Sequence, residues 1–260
     1  MNNDRPRRKG DDLDSLLANW PFSYGEVTAR QAHGADGRRV MQLRIDLGVL
    51  QMETTGRPDG TRPEGHETYL HYLISACQEE GDAFELDSER CSEVDREFVQ
   101  YYHRRVAWLA LRDFDKAVLD ADHTLALMNF STAHAPDEDW VDLHEQYRPF
   151  VLFHRTQAQA LAELERSDAE AAVLAIDEGL RSVHNALEGL EIDSELSFQL
   201  EEDDFVEKLR ELRRSILADF DLELSLSEQL ADAIAHEQYE RAAELRDRIA
   251  RRRQQSGAPR

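Results

Sequence analysis

Cysteine is scarce in this chain, and its scarcity excludes two kinds of scaffold. Cys77 and Cys91 are its two cysteines, fourteen apart, with no Cys-x-x-Cys pair around either. That spacing supports neither a disulfide framework nor a zinc cluster, so reduced thiols and a cytoplasmic location are expected. Long apolar runs are missing too. None approaches the roughly 20 residues needed to span a bilayer, and no apolar stretch follows the basic N-terminus as a secretory signal requires. The chain therefore reads as soluble, with no membrane partner.

Catalytic signatures are also missing. There is no GxxxxGK[ST] phosphate loop, no GxSxG and no HExxH. The ten histidines are scattered; His66 and His71 lie five apart and His144 and His154 ten apart. Neither spacing is the i, i+4 step that sets two imidazoles side by side on a helix. Each is read as a hydrogen-bonding group, and no catalytic residue, metal ligand or cofactor is expected.

Basic residues are few as well: 31 Lys and Arg stand against 54 Asp and Glu, for a net charge of −23. The imbalance is uneven. Residues 1–10 hold +3 and residues 251–260 hold +4, so the 240 residues between them hold −30. An acidic body repels a phosphate backbone, which leaves the two basic tails as the contacts available to nucleic acid.

What the chain does have is a change of hydrophobic period near residue 67. Residues 1–12 read as a disordered basic arm, and Leu13, Leu16, Leu17 and Trp20 as a brief apolar element stopped by Pro21. Met41, Leu43, Ile45, Leu47 and Val49 alternate with polar residues, the mark of a half-buried strand. His33 to Gly37 supplies turn chemistry for a hairpin, since Asp36-Gly37 tolerates positive φ. Residues 54–65, TTGRPDGTRPEG, hold three glycines and two prolines. This stretch reads either as a recognition loop presenting Arg57, Asp59 and Arg62, or as two turns joining sheet to helix. Residues 13–66 thus form a small β-hairpin unit with a Gly/Pro loop.

From Glu67 the period is helical. Tyr69, Leu70, Leu73, Ile74 and Cys77 share one face, ending at Gly81. Residues 101–109, YYHRRVAWL, followed by Arg112 to Ala117 and Leu125, are similar to a tetratricopeptide repeat. The resemblance implies two antiparallel helices meeting through small residues and aromatics, with Trp108, Phe114, Ala117 and Leu125 at packing positions. Arg105 and Thr124 depart from that pattern, standing where small residues are usual, and no proline closes the unit. A second, degenerate copy runs through Ala160, Leu164, Asp168, Ala172, Ile176, Gly179 and Leu180. Ala117 and Ala172 are 55 apart rather than about 34, so an insertion around residues 135–140 is expected. Two copies are fewer than an independent solenoid needs. The helical region 67–190 must therefore gain apolar contacts from the sheet, from a second chain or from the connecting helix within 191–221, where Phe205, Leu209, Leu212, Ile216 and Leu217 align.

Residues 222–253 carry two short apolar stripes, Leu226, Leu230, Ala233 and Ile234 and then Tyr239, Ala242, Ala243, Leu245 and Ile249, around a polar break at 236–238. The run Ala233-Ile234, Glu237, Tyr239-Glu240, Ala242-Ala243, Leu245-Arg246-Asp247 and Ile249 resembles the UVR motif. That motif is the helical hairpin of UvrB and UvrC and of some Clp-ATPase regulators. What the resemblance implies is a protein contact in which Leu230, Ile234, Tyr239, Ala242, Ala243, Leu245, Arg246, Asp247 and Ile249 meet a partner. Arg246 and Asp247, adjacent in sequence, are expected to find partners other than each other. Residues 254–260 form a tail.

The expected fold class is mainly α with a small N-terminal β-hairpin, made of tetratricopeptide-like helix pairs and a C-terminal helical hairpin. The expected function is that of a non-enzymatic adaptor whose partner is another UVR-type hairpin, UvrB/UvrC-like or Clp-associated, or a second copy of itself. Excision repair is one setting and Clp proteolysis the alternative. Two further readings differ in class: a DNA-associated repair accessory using the basic tails with Arg57 and Arg62, and an enzyme built on Arg57, Asp59 and Glu53.

Overall fold

The computed structural model describes residues 13–135, 138–189, 199–220, 229–230, 233–234, 236 and 238–256, without the side chains of 138, 199–203 and 248–256. The expected arm 1–12, the segments 190–198 and 221–228 and the end of the tail, 257–260, lie outside the described residues. A single-turn helix α1 (Asp14–Ala18) precedes three strands, β1 (Ala29–His33), β2 (Arg39–Ile45) and β3 (Gly48–Glu53). Helices α2 (Tyr69–Glu80), α3 (Ser88–Ala110), α4 (Phe114–His134), α5 (Glu138–Glu145), α6 (Arg148–Glu165) and α7 (Ala169–Gly189) follow. Then come α8 (Gln199–Asp219) and α9 (Tyr239–Ser256). The chain is mainly helical with a small N-terminal sheet, as its sequence leads one to expect.

The sheet is antiparallel in the order β1-β2-β3. It has one strand more than a hairpin because the alternating run 41–49 does not stay in one strand. It folds back at Asp46-Leu47, so that Ile45 pairs with Gly48 and Leu47 is 89% exposed. Arg44 holds this turn: its guanidinium donates to the carbonyls of Ile45, of Asp46 at 3.2 Å and of Gly48 at 2.9 Å, and its Nε to Trp20 O at 2.7 Å. The apolar alternation runs on at odd positions to Val49, but across the two-residue turn the core face passes to even positions, so that Met41 stands beside Met52 and Leu43 beside Leu50 while Val49 stands beside Arg44. The first turn forms where expected, with Gly37 at φ 83° and β1 pairing from His33↔Arg39 back to Ala29↔Leu43.

The sheet has no core of its own. Met41, Leu43 and Met52 pack with Ala107, Trp108, Phe114, Ala117, Ala158 and Ala162, so sheet, α3, α4 and α6 close over one apolar cluster. At the other side, Phe205, Leu209 and Ile216 of α8 join Phe153, Ala172, Ile176 and Val183 of α6 and α7. The two helix pairs thus gain their missing apolar contacts from the sheet and from α8.

The pairs α3/α4 and α6/α7 share a turn. In the first, Arg112 N donates to Leu109 O at 3.1 Å, Asp113 N to Trp108 O at 3.0 Å and Ala117 N to Asp113 O at 3.1 Å. In the second, Ser167 N donates to Leu164 O at 2.9 Å, Asp168 N to Glu163 O at 2.9 Å and Ala172 N to Asp168 O at 3.1 Å. Every atom pair recurs 55 residues on. Arg112 and Ser167 adopt left-handed φ of 59° and 62°, the geometry of a helix C-terminus closed by paired 6→1 and 5→2 hydrogen bonds. The insertion between the pairs contains α5.

Departures from the repeat pattern also find a reason. Arg105 and Thr124 are both buried and bonded to each other, guanidinium Nη1 to Thr124 Oγ1 at 3.0 Å. A large polar side chain replaces a small one, and the residue facing it supplies an acceptor. In the second pair Gly179 does what small residues are expected to do. A Cβ built there would lie 2.0 Å from Thr156 Oγ1 and 2.1 Å from its Cγ2, so α6 and α7 approach too closely for alanine.

Candidate functional site

The Gly/Pro loop is bound down onto α3. Arg57 is 3% exposed; its Nη2 lies 2.7 Å from Glu93 Oε2 and its Nε 3.1 Å from Glu97 Oε2, the latter a charge contact with the N–H directed elsewhere. Its Nη1 donates to Thr61 Oγ1 at 3.2 Å. The Arg57 guanidinium beside Glu93 holds that carboxyl below the usual range. Asp59 accepts from Thr61 N at 2.9 Å and from Gln100 Nε2 at 2.9 Å. Burial alone would raise its pKa, but those hydrogen bonds and the Arg57 charge together lower it. Arg62 is exposed and makes no ion pair among the described residues. The loop therefore presents one of its two arginines to solvent, and the other is a tie.

Behind the loop the polar groups bond chiefly to one another. Glu97 is fully buried and accepts from Tyr69 N at 2.6 Å, Leu70 N at 3.1 Å and His123 Nε2 at 2.9 Å, with Arg57 alongside. It thereby caps the first turn of α2, whose free N–H groups need an acceptor. His123 stacks on Tyr101 at a centroid distance of 3.8 Å. Arg104 pairs with both oxygens of Asp120, at 2.9 and 2.7 Å, and donates to Glu53 O at 3.2 Å and Gly56 O at 2.7 Å. With three donors and the Arg57 charge around them, both oxygens of Glu97 are engaged within the fold. The cluster locks loop, α2, α3 and α4 together. No group of three or more His, Cys, Asp and Glu among the described residues is placed to hold a metal ion, and no described helix is long and apolar enough to cross a membrane.

The C-terminal hairpin has an inner and an outer face. Ala233, Ala242 and Leu245 are buried against each other, with Leu230 at the edge. Gln238 N donates to Ala233 O at 2.7 Å and Ala242 N to Gln238 O at 2.9 Å, and the chain turns at His236. Ala242 and Leu245 face inward, while Ile234 is 55% and Tyr239 69% exposed. Ala243 and Arg246 are exposed on α9 as well. Tyr239, Ala243 and Arg246 follow the i, i+4, i+7 spacing of one helix face. A single packing face is thus divided: Ala233, Ala242 and Leu245 close the hairpin, and Ile234, Tyr239 and Ala243 lie outside. Arg246 and Asp247, expected to look elsewhere, meet each other at 3.0 Å. The long guanidinium arm reaches sideways along the helix surface, and an exposed pair of this kind contributes about 0–1 kcal/mol. Ile249 lies on α9, with its side chain outside the described atoms; α9 itself runs past Arg253 to Ser256.

The inner and outer division could not be read from spacing, because both stripes of the motif are apolar. Burial decides it. An apolar groove between α3, α5, α6 and α8, lined by Phe98, Tyr102, Trp140, Leu143, Tyr147 and Phe205 among others, has no sequence signature either, because its residues are gathered from a span that runs from Asp95 to Phe205.

No curated protein and no solved structure matches the chain at a significant level. The UVR family, the UvrB/uvrC motif, matches residues 225–255, about an eighth of the chain, and this stretch contains the hairpin with both of its faces.

Proposed function

We propose that the chain is a non-enzymatic interaction protein whose UVR-type hairpin docks onto a second hairpin of the same kind on a partner. The observation that carries the proposal is the outer face of residues 225–255: a matched UVR motif in which Ile234 and Tyr239 are left uncovered. Tyrosine and arginine are favoured anchors of protein interfaces, and Arg246, on the same face of α9 as Tyr239, sets orientation. The engagement of Glu97 within the fold supports the non-enzymatic part. UvrB and UvrC are the first partners to test, since the matched motif is theirs.

Purified chain is titrated into UvrB and UvrC and binding followed by calorimetry. Tyr239→Ala and Ile234→Ala are each expected to weaken binding about tenfold, roughly 1.4 kcal/mol, with the helical content unchanged. Leu245→Asp is expected to abolish binding by opening the hairpin. A chain ending at Asp221 that still binds would overturn the reading.

A further inference from the structure

The groove between α3, α5, α6 and α8 has a volume of about 660 Å³ and aromatic or aliphatic walls. Val99 and Leu143 stand at it half or more exposed, and Asp95 pairs with His144 at 2.8 Å. Arg105 is among its lining residues and is 1% exposed.

Arg105 is answered differently from the other buried arginines. Arg57, Arg104 and Arg213 each face a carboxylate, and Arg44 donates to four backbone carbonyls. Arg105 has two neutral acceptors, Thr124 Oγ1 at 3.0 Å and His154 Nδ1 at 3.4 Å, for five N–H donors. Asp120, whose charge it feels, is already held at two points by Arg104. Burial lowers the Arg105 pKa to about 10. Burial and the Arg105 charge push His154 down to about 3, so the imidazole stays neutral and can accept from Arg105 without adding a second positive charge. The result is a cation under an apolar wall with no carboxylate bonded to it, supported by the Asp120 charge and by the Tyr102 ring 6.0 Å away, an arrangement that a bonded anion would stabilise.

We propose that this groove binds a small amphiphilic carboxylate, its apolar body between the aromatic walls and its carboxylate paired with Arg105. The volume falls within the range of about 300–1,000 Å³ usual for small-ligand sites, as does the combination of apolar walls with few polar groups. A guanidinium fork matches the two oxygens of a carboxylate. An extended peptide fits less well, because the walls offer few partners for its backbone N–H and C=O groups. This site is independent of the hairpin and stands or falls separately from it.

The test is calorimetric titration of the full chain with dodecanoate and, as an uncharged counterpart of equal length, dodecanol, both below their aggregation limits. Dodecanoate is expected to bind saturably with one site per chain, and dodecanol at least tenfold more weakly. Arg105→Met is expected to bring the two affinities to within twofold. Should that variant fail to fold, Leu143→Asp at the open side of the groove serves instead, weakening dodecanoate at least tenfold while the melting curve is kept. Equal binding of the two probes, no saturable binding, or dodecanoate binding unaffected by Leu143→Asp would each overturn the proposal. So would Arg105-dependent binding of an acidic apolar peptide without binding of dodecanoate, which would assign the groove to a protein partner.

Discussion

His154 shows how a single buried residue couples stability to pH. It sits against Arg105 and the Phe150 and Phe153 rings, and its folded pKa is about 3. In the unfolded chain an imidazole titrates near 6.5. Between these values the unfolded state binds a proton that the folded state refuses, so stability rises with pH across the interval and falls on acidification from about 6.5 toward 3. His103, also lowered by burial, acts in the same direction. From pH 7 to 5.5 the His154 contribution lost is on the order of 1 kcal/mol. Urea unfolding at both pH values should show this loss, and His154→Gln, which keeps an acceptor for Arg105, should reduce it by about that amount. Arg57 illustrates the opposite outcome for a polar residue of the same chain. It was a candidate for recognition because it is a cation in an acidic body, yet that acidity places Glu93 and Glu97 on either side of it.

At the scale of elements, the contact between α6 and α7 is set by one missing side chain. Gly179→Ala would drive a Cβ into Thr156, and overpacking of this kind typically costs about 1–3 kcal/mol. Thermal melts should show the loss, and Thr156→Ala in the same chain should restore much of it because the blocking atoms are gone. Equal losses with and without Thr156→Ala would mean that the helix backbones themselves fix the spacing. The hairpin follows the same logic with alanines. Ala233 and Ala242 let its two limbs close over Leu245, which frees Tyr239 and Ile234 for the outer face. The turn joining α6 to α7 copies the one joining α3 to α4 bond for bond, although the sheet packs on α3, α4 and α6 and α8 packs on α6 and α7.

For the whole molecule, the hydrophobic clusters divide the labour. Sheet and helices α3, α4 and α6 share one cluster, α6 to α8 another, and among the described residues the hairpin cluster contains hairpin residues alone. Removing residues 222–260 should therefore leave the melting temperature of the remainder within about 2 °C, a change worth about 0.5–1 kcal/mol for a chain of this size. A drop of several degrees in differential scanning calorimetry would show that the hairpin contributes to the main core.

The helical period, the turn at Asp36-Gly37, the apolar face of α8 and the UVR motif were all legible in the chain, because each depends on residues within one or two helical turns of each other. The 55-residue spacing was legible too, since small residues and aromatics recur wherever two helices close over the same turn. Tertiary structure alone decided the reversal at Asp46-Leu47, where Arg44 gathers the carbonyls. It also decided the burial of Arg57, the pairing of Arg105 with Thr124, the two faces of the hairpin and the apolar groove. These depend on which side chains meet across elements, and a one-dimensional pattern of polar and apolar residues carries no record of the partner that will satisfy a buried charge.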